Sequence, residues 1–411
     1  MKPELLMPAG SPEILKAVID FGADAVYVGG ETLSLRAKAK NFTEEELREG
    51  LRYAHARGKK VYLAVNIVAH EDDLPGAEAL FGRLHEEEQR PDALILSDPG
   101  IFRLSQRLCP EIPVHLSTQA SAANAETFRF WYEQGVRRIV CARELSLEEI
   151  ARIRSRIPPE LELECFVHGA MCMSYSGRCL ISNFLASRDA NRGACTHPCR
   201  WKYYLTEEKR PGQYMPVEED DRGTYLYNSK DLCMIAHLPD LLSAGVSSLK
   251  VEGRMKTLLY AVSVTRAYRQ ALDDLEEDPA RYEAGIPAYE REVSACTTRG
   301  FCTGFYYGPP GADAQNYESS EYRKNYTYLG MVREEAGRFT LIQKNKFSVG
   351  DAVEILRPGC KTLTATVLRL TDEHGTDQPC APHPAQKLIL TLDKGLQADD
   401  ILRKENHDEN I

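Results

Sequence analysis

Six of the twelve cysteines in this 411-residue chain fall within one stretch of 69 residues: Cys165, Cys172, Cys179, Cys195, Cys199 and Cys233. Six residues separate Cys172 from Cys179, and three separate Cys195 from Cys199. Thiolates at such spacing suit a soft metal centre, because sulfur matches iron or zinc and the negative charge offsets the metal. Compact structural zinc sites more often use two CxxC-type pairs, and the wide first spacing fits that poorly. An iron–sulfur cubane is therefore expected, with buried thiols or a disulfide as the alternatives. Gly169, Gly177 and Gly193 allow backbone to curl closely around a cluster.

Ligands of that kind need a scaffold. Over residues 1–276 short apolar runs alternate with helical patterns, the signature of βα units around a parallel sheet. Strands are expected at 4–10, 25–30, 60–66, 93–98, 114–119, 138–142, 161–166 and 248–252, and helices at 43–57, 146–156 and 256–275. Eight such units imply an α/β, TIM-type (β/α)8 barrel over 1–276, with a Cys-rich insertion (165–233) after the seventh strand. A doubly wound sheet is the alternative, but no G-x-G-x-x-G follows the first strand. In a barrel, polar residues at strand C-termini point into the active site. Here those are Asn66, Asp98, Gln119, Arg143, His168, Glu252 and Arg254. Residues 277–325 read as a connecting segment. Alternation over 326–411, with strands at 339–344, 352–356, 363–369 and 387–392, reads as a small C-terminal all-β barrel domain that ends in a polar tail at 404–411.

The net charge of −10 argues against a dedicated, non-specific nucleic-acid binder, although a local basic patch is compatible with it. No apolar run approaches a membrane span, and the N-terminus lacks the pattern of a secretory signal. A cytoplasmic protein with no membrane partner is expected, and a reducing compartment favours metal ligation over disulfides. Neither H-E-x-x-H nor G-x-S-x-G occurs, and five neighbouring thiols favour ligation over one activated nucleophile.

The run Glu164-Cys165-Phe166-Val167-His168-Gly169-Ala170-Met171-Cys172, followed by Gly177-Arg178-Cys179-Leu180-Ile181-Ser182, resembles the signature of the collagenase-like peptidase family U-32. Asn191–Cys195, Cys199-Arg200-Trp201, Asn228–Leu232, Lys250–Arg254 and Asn345–Asp351 resemble further blocks, so the likeness covers nearly the whole chain. It implies one of two activities. Some members are described as collagenases, which implies a hydrolase. Others act in oxygen-independent hydroxylation of ubiquinone precursors, an rRNA cytidine or the tRNA wobble uridine. Block order and the C-terminal domain are most similar to the tRNA-hydroxylating branch, which implies 5-hydroxyuridine formation on a tRNA partner with prephenate as co-substrate. A third reading is a non-catalytic cluster scaffold or partner subunit, and a homo- or hetero-oligomer with a related subunit is compatible with all three. The resemblance further implies a 4Fe-4S cluster on Cys172, Cys179, Cys195 and either Cys199 or Cys233. Arg143, Lys250 and Arg254 would bind a small dicarboxylate metabolite by charge pairing, and His168, Glu252 and Arg254 are the candidate catalytic residues. Arg188, Arg192, Arg200 and Lys202 would track RNA, with Trp201, Tyr203 and Tyr204 stacking on a base.

Overall fold

The computed structural model describes residues 2–31, 33–34, 41–171, 230–296, 299–310 and 325–406, with Ser182, Arg188, Cys195, Thr196, Ala314 and two short strands. Seven parallel strands open the chain: β1 (Glu4–Pro8), β2 (Ala25–Gly29), β3 (Lys60–Val65), β4 (Ala93–Leu96), β5 (Val114–Leu116), β6 (Arg138–Val140) and β7 (Glu162–Ala170). After β7 the insertion holds an antiparallel pair, β8 (Tyr204–Thr206) and β9 (Tyr214–Pro216). It returns as β10 (Asp231–Cys233), antiparallel to the end of β7, before β11 (Ser248–Val251) closes the barrel by pairing with both β7 and β1. A short strand, β12 (Phe301–Cys302), adds to β10. The expected eight-stranded (β/α) barrel with its insertion after the seventh strand is what forms.

The helices start where capping residues meet the orphan amides of a first turn. Ser11 caps α1 (Pro12–Asp20), Thr43 with Glu46 forms a capping box on α2 (Glu44–His55), and α3 spans Leu74–Glu86. Asp98 caps α4 (Pro99–Leu108), Asn124 caps α5 (Ala125–Glu133), and Ser146 with Glu149 boxes α6 (Leu147–Arg154). α7 spans Leu238–Ser243, and Thr257 caps the long α8 (Leu258–Glu277). The segment 277–325, read as a connection, contains a sixteen-residue helix, α9 (Pro279–Ser294). Gly285 and Pro287 interrupt its helical signal in the sequence, yet α9 packs along α8.

Side chains on the strands alternate between two layers. Leu5, Met7, Val26 and Val28 face the helices, whereas Leu6, Ala25, Tyr27, Tyr62, Ala64, Ala93 and Ile95 fill the lumen. The rest of the lumen is charged. Glu164 of β7 is fully buried, accepts from Lys250 Nζ at 2.7 Å and lies 3.2 Å from an Arg138 nitrogen. Arg138 also pairs with Glu4, to which Tyr62 donates at 2.7 Å and Ser248 at 3.1 Å. Burial pushes the Glu164 carboxyl up, but Lys250 and Arg138 outweigh it and hold the group below the usual carboxylate range. Glu4 is lowered in the same way, burial opposing and Arg138 prevailing.

The last fifth forms a second, closed antiparallel barrel: β13 (Tyr326–Glu335), β14 (Arg338–Ile342), β16 (Ala352–Leu356), β17 (Leu363–Asp372), β19 (Lys387–Leu392) and β20 (Ile401–Glu405). A separate small pair, β15 (Phe347–Ser348) and β18 (Cys380–Ala381), flanks it. Residue 404, assigned to the polar tail, lies in β20, because Arg403 beside it is buried against the other domain. Arg403 donates to Glu292 of α9 at 2.8 Å, to Glu354 at 2.8 Å and to Ser263 of α8 at 3.2 Å. Met331, Leu356 and Ile401 join the core of the first barrel.

Replacing Glu164 by Leu leaves the buried Lys250 ammonium without its carboxylate and removes one partner of Arg138, and is expected to cost about 3–5 kcal/mol, read as a lowered urea midpoint. The two lowered carboxyls contribute stability that is complete above the unfolded glutamate value and is lost as pH falls through their folded values. Wild type should therefore lose more stability than Glu164→Gln between about pH 5 and 3. Parallel profiles would show that the pairing contributes nothing.

Candidate active site

The C-terminal mouth of the first barrel is built on β7. Phe166 and Glu164 point into the lumen, facing Lys250 across the β7–β11 ladder. The ladder then slips by one residue: Lys250 pairs with Phe166, but Val251 pairs with His168. Val167 is the extra residue of this bulge, and its carbonyl accepts from the Tyr268 hydroxyl at 2.7 Å and from the Met234 amide at 2.9 Å. His168 consequently faces outward. Its ring lies among Tyr260 and Tyr268 of α8 and Phe301 of β12, with centroids 5.4–5.9 Å away. Burial, helped by the Lys256 charge, pushes the imidazole down to about 3, so it is neutral at physiological pH. Gly169 follows with φ +111, and a Cβ there would stand 2.6 Å from the Glu252 carbonyl. Only glycine lets the end of β7 pass so close to the β11 loop.

Arg143, just past β6, lies over the Phe166 ring at 3.8 Å and donates to the Ala170 carbonyl at 2.8 Å. Glu252 stands 3.9 Å from its guanidinium, and the Tyr27 hydroxyl, which donates to the Val251 carbonyl at 3.0 Å, lies 3.3 Å from the Glu252 carboxylate. The buried Arg143 Nε–H has no acceptor among the described residues. An unmet buried donor costs about 1–3 kcal/mol, so this position favours a ligand carboxylate or carbonyl. On the neighbouring loop the Gln119 side-chain oxygen and the Ser121 hydroxyl are likewise buried without partners among the described residues.

The structure thus gathers Arg143, Glu252 and Lys250 at and below the mouth, with Lys250 engaged by Glu164. Arg254 lies on the rim of the mouth at the end of β2, donating to Ser34 at 2.7 Å against Gly29. Asp98 serves as the α4 cap, accepting from Gly100 and Ile101. Tyr27 and Phe166 were not singled out in the sequence. The alternation of β2 and the Glu-x-Phe spacing on β7 were the signals that would have marked them as lumen residues. Cys233, at the end of β10, pairs in register with His168; burial pushes its thiol up to about 12. Cys195 is half-buried. Cys172, Cys179 and Cys199 lie outside the described residues, as do Arg192, Arg200, Trp201, Lys202 and Tyr203 and the side chain of Tyr204. Among the described residues no three acidic, imidazole or thiol groups converge as a metal site, and no helix is long and apolar enough to cross a membrane.

A (β/α)8 barrel with a polar mouth, a cysteine-bearing insertion and a docked β-barrel defines a class of two-domain barrel proteins. The chain belongs to peptidase family U32: that family's profile matches residues 10–316, and the profile of the family's C-terminal domain matches 324–403. It is 37% identical to tRNA hydroxylation protein P1 of Bacillus subtilis over 98% of this chain and 95% of that protein. It is also 37% identical to tRNA hydroxylation protein P of Escherichia coli, over 98% and 97%. A collagenase of Porphyromonas gingivalis is 32% identical over 86% of both chains.

His168→Phe keeps the aromatic sleeve filled and is expected to cost less than about 1.5 kcal/mol in urea unfolding. His168→Asp, which introduces an unpaired buried charge, is expected to cost more than about 3 kcal/mol. Equal tolerance of both would mean that His168 faces water.

Proposed function

We propose that the protein hydroxylates RNA, forming 5-hydroxyuridine at the tRNA wobble position without molecular oxygen and with prephenate as the required metabolite. The observation that carries this reading is the identity, across both domains, with two proteins named for tRNA hydroxylation. In the mouth, Arg143 would bind a carboxylate of the metabolite through its unmet Nε–H, Phe166 supporting the guanidinium from behind. Glu252, fixed by Tyr27, would orient the reacting group or hold a proton at its carboxylate. Lys250 and Glu164 would supply a dry, rigid floor.

Cys172, Cys179, Cys195 and either Cys199 or Cys233 would hold a 4Fe-4S cluster. The donor chemistry fits: the insertion is rich in soft thiols by sequence, and Cys233 is a sheltered thiol that a metal's charge would deprotonate. When bound, the cluster would supply one-electron transfer or a Lewis-acidic iron. The peptidase reading fares worse on geometry. His168, the imidazole of the signature motif, faces away from the mouth and is far too weak a base to activate a nucleophile there.

Protein purified anaerobically is expected to contain about four iron and four sulfide per chain; Cys172→Ala should abolish them, and Cys109→Ala should not. Stoichiometric zinc in a colourless preparation would remove the cluster. Deleting the gene should deplete 5-hydroxyuridine from tRNA in nucleoside analysis, with wild type but not Arg143→Gln restoring it. Normal 5-hydroxyuridine in the deletion strain would reject the reading.

A further inference from the structure

The loop that carries Glu252 into the mouth continues as Met255, Lys256 and Thr257, which line a crevice of about 580 Å3 between the barrel and the C-terminal domain. That volume lies within the range of small-ligand sites. One wall is formed by Ser11 and Thr257, at the starts of α1 and α8; the other by Tyr328, Lys344 and Asn345 of the second domain. The walls are held in place by Arg403 on Glu292 and by Arg333 on Glu13 at 3.0 Å. Glu13 is the acidic residue of the lining, so Arg333 meets its charge.

The remaining chemistry suits a nucleotide. Lys256 and Lys344 place two cations on opposite walls, and the exposed Lys344 ammonium has no partner among the described residues. In the first turn of α8, Thr257 takes the Tyr260 amide, while the buried Leu258 and Leu259 amides meet no acceptor among the described residues. Those amides add to the positive end of a long helix. Tyr328 offers a half-buried ring whose hydroxyl likewise has no partner among the described residues. Ile14, Met255 and Ala295 make part of the surface apolar. Cations paired with an aromatic ring and apolar lining are the means by which proteins hold an unstacked nucleotide.

We infer that this crevice receives a single-stranded nucleotide of the RNA, its phosphate between Lys256 and Lys344 and its base against Tyr328. The inference rests on the RNA reading above and deepens it. The loop from Glu252 to Thr257 joins this crevice to the mouth, so a nucleotide held here would anchor the strand beside the barrel.

The test measures fluorescence anisotropy of labelled decauridylate and of labelled tRNA with the full chain. Lys344→Glu is expected to weaken binding about tenfold and to lower the salt slope by about one. Tyr328→Ala should weaken it about tenfold, with Tyr328→Phe retaining affinity. Lys346→Glu, an exposed neighbour outside the lining, should leave it unchanged. Equal effects of Lys344→Glu and Lys346→Glu, or none from either, overturn the inference while RNA binding by wild type stands. Displacement by inorganic phosphate as effective as by unlabelled decauridylate makes this an ion site and also overturns it. Wild type that binds neither RNA overturns the RNA reading itself.

Discussion

Glu164 is fully buried between Arg138 and Lys250, inside a barrel that must close across a long insertion. Removing such groups from water costs several kcal/mol per ion, which only close and complete pairing can offset. Here the pairing draws on four strands: Glu4 of β1, Arg138 of β6, Glu164 of β7 and Ser248 with Lys250 of β11. Those are the strands at the seam where β7 meets β11. A register error of one residue on any of them would leave an isolated charge in the lumen, so the network selects one closure. It also fixes Phe166, one turn of the pleat above Glu164, and through Phe166 the position of Arg143.

The second domain is held by a comparable device at the surface. Arg403 emerges from β20 and is enclosed by Glu292, Glu354 and Ser263, while Arg266 of α8 reaches the Cys360 carbonyl and Thr362. Apolar residues of the small barrel continue the core of the large one. Contacts of this kind bring residues of both domains to the walls of the crevice beside the barrel.

The architecture was largely legible in the sequence because the eight βα units are marked by capping residues and apolar runs that mean the same thing wherever they fold. What the sequence concealed depended on pairing in space. Arg143, Lys250 and Arg254 look alike as strand-end cations, yet Glu164 engages Lys250 and Ser34 holds Arg254, leaving Arg143 as the one with a buried donor unmet among the described residues. Helix α9 was hidden by Gly285 and Pro287, and β20 by its charged composition, since Ile-Leu-Arg-Lys-Glu reads as a tail until Arg403 is seen to be enclosed. Of the expected cluster ligands, Cys195 and Cys233 are described, and the other three fall outside the described residues.

The bulge at Val167 divides β7 into two phases. Before it, even-numbered side chains address the lumen; after it, His168 addresses the helical jacket. The signature motif is therefore not one instruction but two, set end to end and read from opposite sides of the same wall. Were the ladder regular, with Val167 paired in place of His168, the imidazole would turn to the lumen and leave the jacket. A motif whose letters look uniformly functional can thus owe half its spelling to the outer layer of the fold.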